Sequence, residues 1–275
     1  MDAAMSETIT TEESSPKAPG GASAWARELK ALLLIGLPMG LTQLIQFSVN
    51  TVDVLMIGRL GPAPLAAASL GLVMFYTTFV IAFGPAMAVS PLVSHALGAN
   101  RDETVEVRRS VRMGLWAAAI IFPVGALFYL NASRIALLLG QPPELARLAG
   151  PYVIAIGPSL PFMVGVIVLR NYLAAIERTR APLLIIIFTT LENAFLNYLL
   201  IYGNFGFPRL ELVGAGIASA ISHATGFAIL AFYVQFEKES ARFGIFDHFF
   251  SPDWPRLREV MRLGWPIGVT MAFEV

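Results

Sequence analysis

Cysteine is absent from all 275 residues, which excludes a disulfide framework and any thiolate metal site. Charge is scarce: Asp, Glu, Lys and Arg make up 14% of the chain, and the formal net charge is zero. A neutral chain lacks the basic surface that a nucleic-acid partner requires. Only three histidines occur, too scattered to form a metal or nucleophile centre with other reactive groups. No G-x-x-x-x-G-K-[ST] phosphate loop occurs, so the energy for any transport is expected from an ion gradient rather than from ATP bound here. No enzyme constellation and no cofactor signal is visible. What fills the chain instead is apolar: 56% of residues are hydrophobic, too many for a soluble domain of this length.

The apolar residues fall into runs, at roughly 32–57, 65–94, 111–131, 149–173, 182–202 and 212–235, with a seventh run opening near Val260. Each of the six is close to the ~20 residues that cross ~30 Å of hydrocarbon. Short connections rich in Gly and Pro separate them. The fold expected is an all-α membrane protein, a six-helix transmembrane bundle followed by the start of a seventh helix. Residues 1–27 read as a disordered tail, polar and with Glu12 and Glu13 where a signal peptide would be apolar. The bundle is expected over 28–235, a linker over 236–258 and a truncated helix over 259–275. With the N-terminus in the cytoplasm, fifteen basic residues fall inside and four outside. That asymmetry supports a multi-pass membrane protein with its N-terminus cytoplasmic.

The first run is no plain anchor. Gln43, Gln46, Asn50 and Asp53 recur at steps of 3, 4 and 3, one stripe of a helix that lipid cannot satisfy. Asp53 is an ionisable group inside a membrane segment and marks a functional site by its cost alone. Pairing with Arg59 is the plain structural alternative. Asn193 and Asn197 share a face of the fifth run one turn apart, and Thr189 and Thr190 extend that face inward. Glu192 lies about 100° round from Asn193. It reads equally as a proton-carrying acid or as one neutralised by a neighbouring helix. Ser219, Ser222 and His223 offer oxygens or a proton acceptor on the sixth run, against the commoner habit of bonding to their own helix. Prolines 38, 85, 91, 123, 158 and 161 fall inside runs, as kinks or as bending points.

Gly36–Thr42 reads GLPMGLT and Gly264–Thr270 reads GWPIGVT, each at the start of an apolar run. The copies stand 228 residues apart, a period of six helices, so the parent architecture is expected to be two six-helix bundles in about 456 residues. On this reading the chain is one bundle plus the first half of the next bundle's opening helix.

Four stretches carry a family resemblance: Gly36–Gly61, Ser90–Asn100, Leu169–Leu184 and Glu192–Gly203 with the GAGIASAIS that follows. Together they resemble the multidrug and toxic compound extrusion family in its NorM-like bacterial branch, over about residues 28–275. The resemblance implies half of a twelve-helix pseudo-symmetric transporter, exporting small organic cations and other amphipathic compounds against an inward flow of H⁺ or Na⁺. It implies cation binding at Asp53, Asn193, Asn197 and Glu274, the last aligned with Gln46 by the repeat. Further proton, cation or substrate contacts are expected at Gln46, Asn50, Glu192 and Ser219, with no metal beyond a Na⁺ at the cation site. Some relatives carry Asp where this chain has Asn197, which removes one charge from the site. The partners implied are membrane lipid and a second bundle of the same protein. The rival readings are a lipid-linked oligosaccharide flippase of the same superfamily, which would need a cationic cavity, and a non-transporting fragment.

Overall fold

The computed structural model describes residues 22–99 and 103–274, though not every side chain of the first helix. All regular structure among the described residues is helical. In chain order the helices are α1 (Ala22–Gly58), α2 (Pro62–Gly98), α3 (Glu103–Leu130), α4 (Ala132–Leu138), α5 (Pro143–Ile156), α6 (Ser159–Ala175), α7 (Arg180–Tyr202), α8 (Glu211–Phe236), α9 (Lys238–Ala241) and α10 (Trp254–Glu274). The chain divides into two compact units, Met1–Leu37 and Pro38–Val275, and the helix packing described below belongs to the second.

Among the described residues α2, α3, α7 and α8 are each long and apolar enough to cross a membrane, and α5 with α6 passes as a single span bent by 47°. The first expected run lies within α1, a helix of 37 residues. The fourth run, expected unbroken over 149–173, is instead two helices and begins earlier, at Pro143. The break falls at Gly157–Pro158, because Pro158 has no N–H to give and its ring crowds the carbonyl one turn back. Pro161 is tolerated in the first turn of α6, where no intrahelical donor is needed. Pro85, Pro91 and Pro123 sit inside unbroken helices.

α2 is the central helix and packs on α3, α5, α6 and α10. Its buried residues run from Ala67 to Ala96, nearly its whole length. α7 pairs with α8, and α8 joins that pair to α5 and α6. Gly203 ends α7 in the left-handed region (φ 73°, ψ 34°), where a side chain would be strained, and its N–H closes on the Leu199 carbonyl at 2.9 Å. The outer face of α7 shows Leu184, Phe188, Leu191 and Phe195 at steps of 4, 3 and 4, all exposed. On a helix of membrane length such a stripe belongs to lipid.

α2 meets α10 backbone on backbone. Gly84 lies against Gly264 and Gly268, and Gly264 lies against Gly84 and Pro85, so closely that a methyl group on either would strike the opposite main chain. Small residues permit this approach, and without a hydrophobic drive in lipid such close packing is what joins helices.

The stretch from Glu237 to Asp253 is strapped to the start of α3. Arg108, Arg112 and Trp116 recur every four residues, one stripe of that helix. Arg108 Nε donates to the Phe243 carbonyl at 2.9 Å, Arg112 Nη1 to the His248 carbonyl at 3.1 Å and Trp116 Nε1 to the Phe249 carbonyl at 2.8 Å. Arg109 Nε reaches Asp253 Oδ2 at 2.5 Å, and Arg256 Nη2 reaches Ser110 Oγ at 2.6 Å and Glu106 Oε2 at 3.3 Å. Phe243 and Ile245 are buried in the core. The strap's carbonyls therefore find donors on α3 while its apolar side chains fill space beneath them.

This junction is sensitive to acid. The Arg109 hydrogen bond holds the Asp253 carboxyl below its ordinary range, and the Arg256 backbone N–H adds to the effect. A carboxyl depressed in the folded state contributes stability that is present above its unfolded pKa of about 3.9 and is lost as pH falls through its folded value. Protection of the 243–253 amides, taken relative to their intrinsic exchange rates, is expected to fall below about pH 4. Asp253→Asn should make exchange there fast at neutral pH, losing about 1 kcal/mol of local stability and the pH dependence with it.

Candidate ion-binding site

α7 carries Asn193 and Asn197 on its inward face, at 5% and 0% exposure, opposite its lipid stripe. α1 brings Asp53 to that face. The Asn197 amide nitrogen donates to Asp53 Oδ1 at 2.5 Å and to Asn193 Oδ1 at 3.2 Å. One turn further along both helices, the Tyr202 hydroxyl donates to the Met56 carbonyl at 2.9 Å and fixes the register of α1 on α7. Three residues singled out in the sequence are thus one hydrogen-bonded cluster.

Asp53 makes no ion pair among the described residues, so Arg59 does not neutralise it. Asn197 Oδ1 is buried without a hydrogen-bond partner among the described residues. The cluster therefore holds an acid uncompensated among the described residues and an amide oxygen beside it; the acid can bind a proton, and both can ligate a hard cation. The phenols of Tyr76 on α2 and Tyr152 on α5 lie within electrostatic reach of Asp53. Nothing in the sequence distinguished these two from the other aromatic residues.

Other expected contacts lie elsewhere. Thr189 and Thr190 keep the position on that face that their spacing gives, but both hydroxyls donate back to their own helix, Thr190 to the Ile186 carbonyl at 2.6 Å and Thr189 to the Ile185 carbonyl at 3.1 Å. Backbone competition of this kind is the ordinary habit of threonine in a helix. Glu192 points to α8, where Thr225 Oγ1 donates to its Oε1 at 2.9 Å. Ser219 is buried on α8, with no hydrogen bond to the Asp53 cluster among the described residues. His223 Nδ1 lies 2.7 Å from the Ser219 carbonyl on its own helix. The side chains of Gln43, Gln46, Asn50 and Glu274 lie outside the described residues.

Helices of membrane length with a carboxylate among them that has no ion-pair partner among the described residues are an arrangement that membrane transport proteins use. The MatE family model matches residues 38–199, more than half of the sequence. The chain belongs to the MATE family, the multidrug and toxic compound extrusion transporters. It is 42% identical over 257 residues to the Rhizobium meliloti (strain 1021) protein named "Probable multidrug resistance protein NorM", matching 92% of this chain and 54% of that protein. It is 35% identical over 275 residues to the protein of the same name from Agrobacterium fabrum (strain C58), matching 98% of this chain and 57% of that protein. The chain thus spans about half the length of the curated relatives it matches. Among solved structures, the Vibrio cholerae MATE transporter VcmN in its bent form shares the fold with a TM-score of 0.78 at 22% identity, over 92% of this chain and 56% of that one. The eukaryotic MATE transporter AtDTX14 does so with a TM-score of 0.73 at 21% identity, over 89% and 52%.

Proposed function

We propose that these residues form the first of two bundles of an ion-coupled antiporter, which exports organic cations while H⁺ or Na⁺ enters. The observation that carries this reading is the Asp53 carboxylate, held by the Asn197 amide and balanced by no base among the described residues. In the described arrangement the amide presents its N–H₂ to the carboxylate. Arrival of a proton or Na⁺ reverses what Asp53 needs: a neutralised acid donates, and a bound cation wants oxygen. Rotating the Asn197 amide by half a turn supplies Oδ1 in place of N–H₂ at the same point. The α1–α7 contact thereby registers whether the ion is bound. An organic cation competes for the same negative charge, so ion and drug exclude one another and export follows ion entry. Alternating access would come from rocking of the two bundles. Glu274, aligned with Gln46 by the repeat, is proposed as a cation ligand of the second bundle. The excess of basic residues on one side supports a cytoplasmic N-terminus, in what we take to be a bacterial inner membrane.

The test is efflux of a cationic dye from vesicles holding the complete transporter. An imposed pH or Na⁺ gradient should drive it, and the 275-residue chain alone should not support it. Efflux indifferent to both gradients would overturn the reading.

A further inference from the structure

Glu192 is a carboxyl in the middle of α7, a helix of membrane length, and the amide cluster around Asp53 does not include it. One oxygen accepts from the Thr225 hydroxyl across the α7–α8 contact at 2.9 Å. The other, Oε2, is enclosed and has no hydrogen-bond partner among the described residues. On the same face of α8, one turn from Thr225, the Ser222 hydroxyl is likewise enclosed and unbonded among them.

No cation among the described residues balances the acid. On α8 the nearest titratable group is His223, about 200° round from Thr225 and engaged with the Ser219 carbonyl. α6 meets this part of α8 with Val166 beside Gly226 and Phe162 beside Phe227. α5 brings Tyr152 to Gly216, more than two turns away. From α1 comes Asp53, bonded to Asn197 rather than to Glu192. A carboxylate with an enclosed and unpartnered oxygen is balanced by a paired cation or by a proton, and no paired cation stands beside it among the described residues.

We infer that Glu192 is a second proton-binding group of the carrier, seated in the α7–α8 contact and separate from the Asp53 cluster. The inference rests on the antiporter reading for its purpose but not for its chemistry. Thr225 can donate to the carboxylate and to the carbonyl of the protonated acid alike, so the contact persists while the charge changes. The proton enters as H⁺ and leaves as H⁺ with no bond broken other than O–H. Because Glu192 precedes Asn193 in sequence, its charge state bears on the same helix that holds the ion cluster.

Infrared difference spectra of the 275-residue chain in phosphatidylcholine vesicles, recorded across a pH titration, test it directly. Two carboxylic-acid bands are expected to stand apart from the common band of the solvent-exposed carboxyls. Asp53→Asn should remove one and Glu192→Gln the other, while Thr225→Val should keep the Glu192 band and move its frequency. In the complete transporter, Glu192→Gln should lower proton-driven dye efflux by about tenfold and flatten its pH dependence. Glu192→Gln spectra that superimpose on the wild type would overturn the inference, as would a Thr225→Val band that does not move. Those results leave the Asp53 reading standing. Unchanged efflux in Asp53→Asn would instead remove the antiporter reading and leave the Glu192 band to be judged by spectroscopy.

Discussion

Asp53→Asn in the complete transporter is expected to lower ion-driven efflux by about 100-fold, the effect of removing roughly 3 kcal/mol of ion stabilisation. The substitution keeps the shape of the side chain and an oxygen for the Asn197 amide to reach at its present 2.5 Å. The contact of α1 with α7 should therefore survive, and purified protein should elute as the wild type does. What disappears is the negative charge. A neutral amide does not hold a proton near neutrality and holds Na⁺ only weakly without an anion, and none stands beside it among the described residues. Dye binding measured in detergent separates charge from shape. If the drug is drawn by the same carboxylate, its affinity falls together with efflux. Wild-type efflux from this variant would sink the assignment of Asp53 as the coupling group.

The second large effect is expected on stability. Gly264→Val places two methyl groups where the Gly84 and Pro85 main chain already stands. Overpacking costs about 1–3 kcal/mol in a well-packed interior, and backbone that cannot turn aside puts this site at the upper end. The melting temperature in detergent should fall by several degrees, about 2–4 °C per kcal/mol for a chain of this size. Gly40 supplies the control. It is the repeat counterpart of Gly268, in the same seven-residue motif, yet a side chain built there meets no described atom within 4 Å. Gly40→Val should therefore leave the melting temperature of this chain nearly unchanged. Equal losses at both glycines would show that the motif acts through helix propensity and not through the α2–α10 contact.

Much of the bundle was legible because a run of about twenty apolar residues has few other uses. Asp53, Asn193 and Asn197 were legible for a related reason: polar groups at helical spacing inside such runs must find one another. The break at Gly157–Pro158 was written in its two residues, but a proline within a run reads equally as a kink. Pro85 and Pro123 show that equal signals give unbroken helices where packing allows. Thr189 and Thr190 misled because helical position gives the face a residue occupies but not whether its hydroxyl turns back on its own helix. The strap was hidden for a different reason. Arg108 and Arg112 spend their donors on backbone carbonyls, and a carbonyl has no residue identity to read. Their charges registered only as a count on one side of a membrane. Thr225 was equally silent, one hydroxyl among many until α8 lay against α7.

The strap also has a mechanical consequence. A joint between two moving bodies is often a slack tether, free to follow either. Here the stretch leading into α10 is riveted to α3 through three backbone carbonyls and an ion pair, so it cannot take up travel. On the two-bundle proposal, displacement of the second bundle falls on α10 itself. There the bare Gly84–Gly264 contact makes a fulcrum, and Pro266, two residues on, is the weak point of the lever.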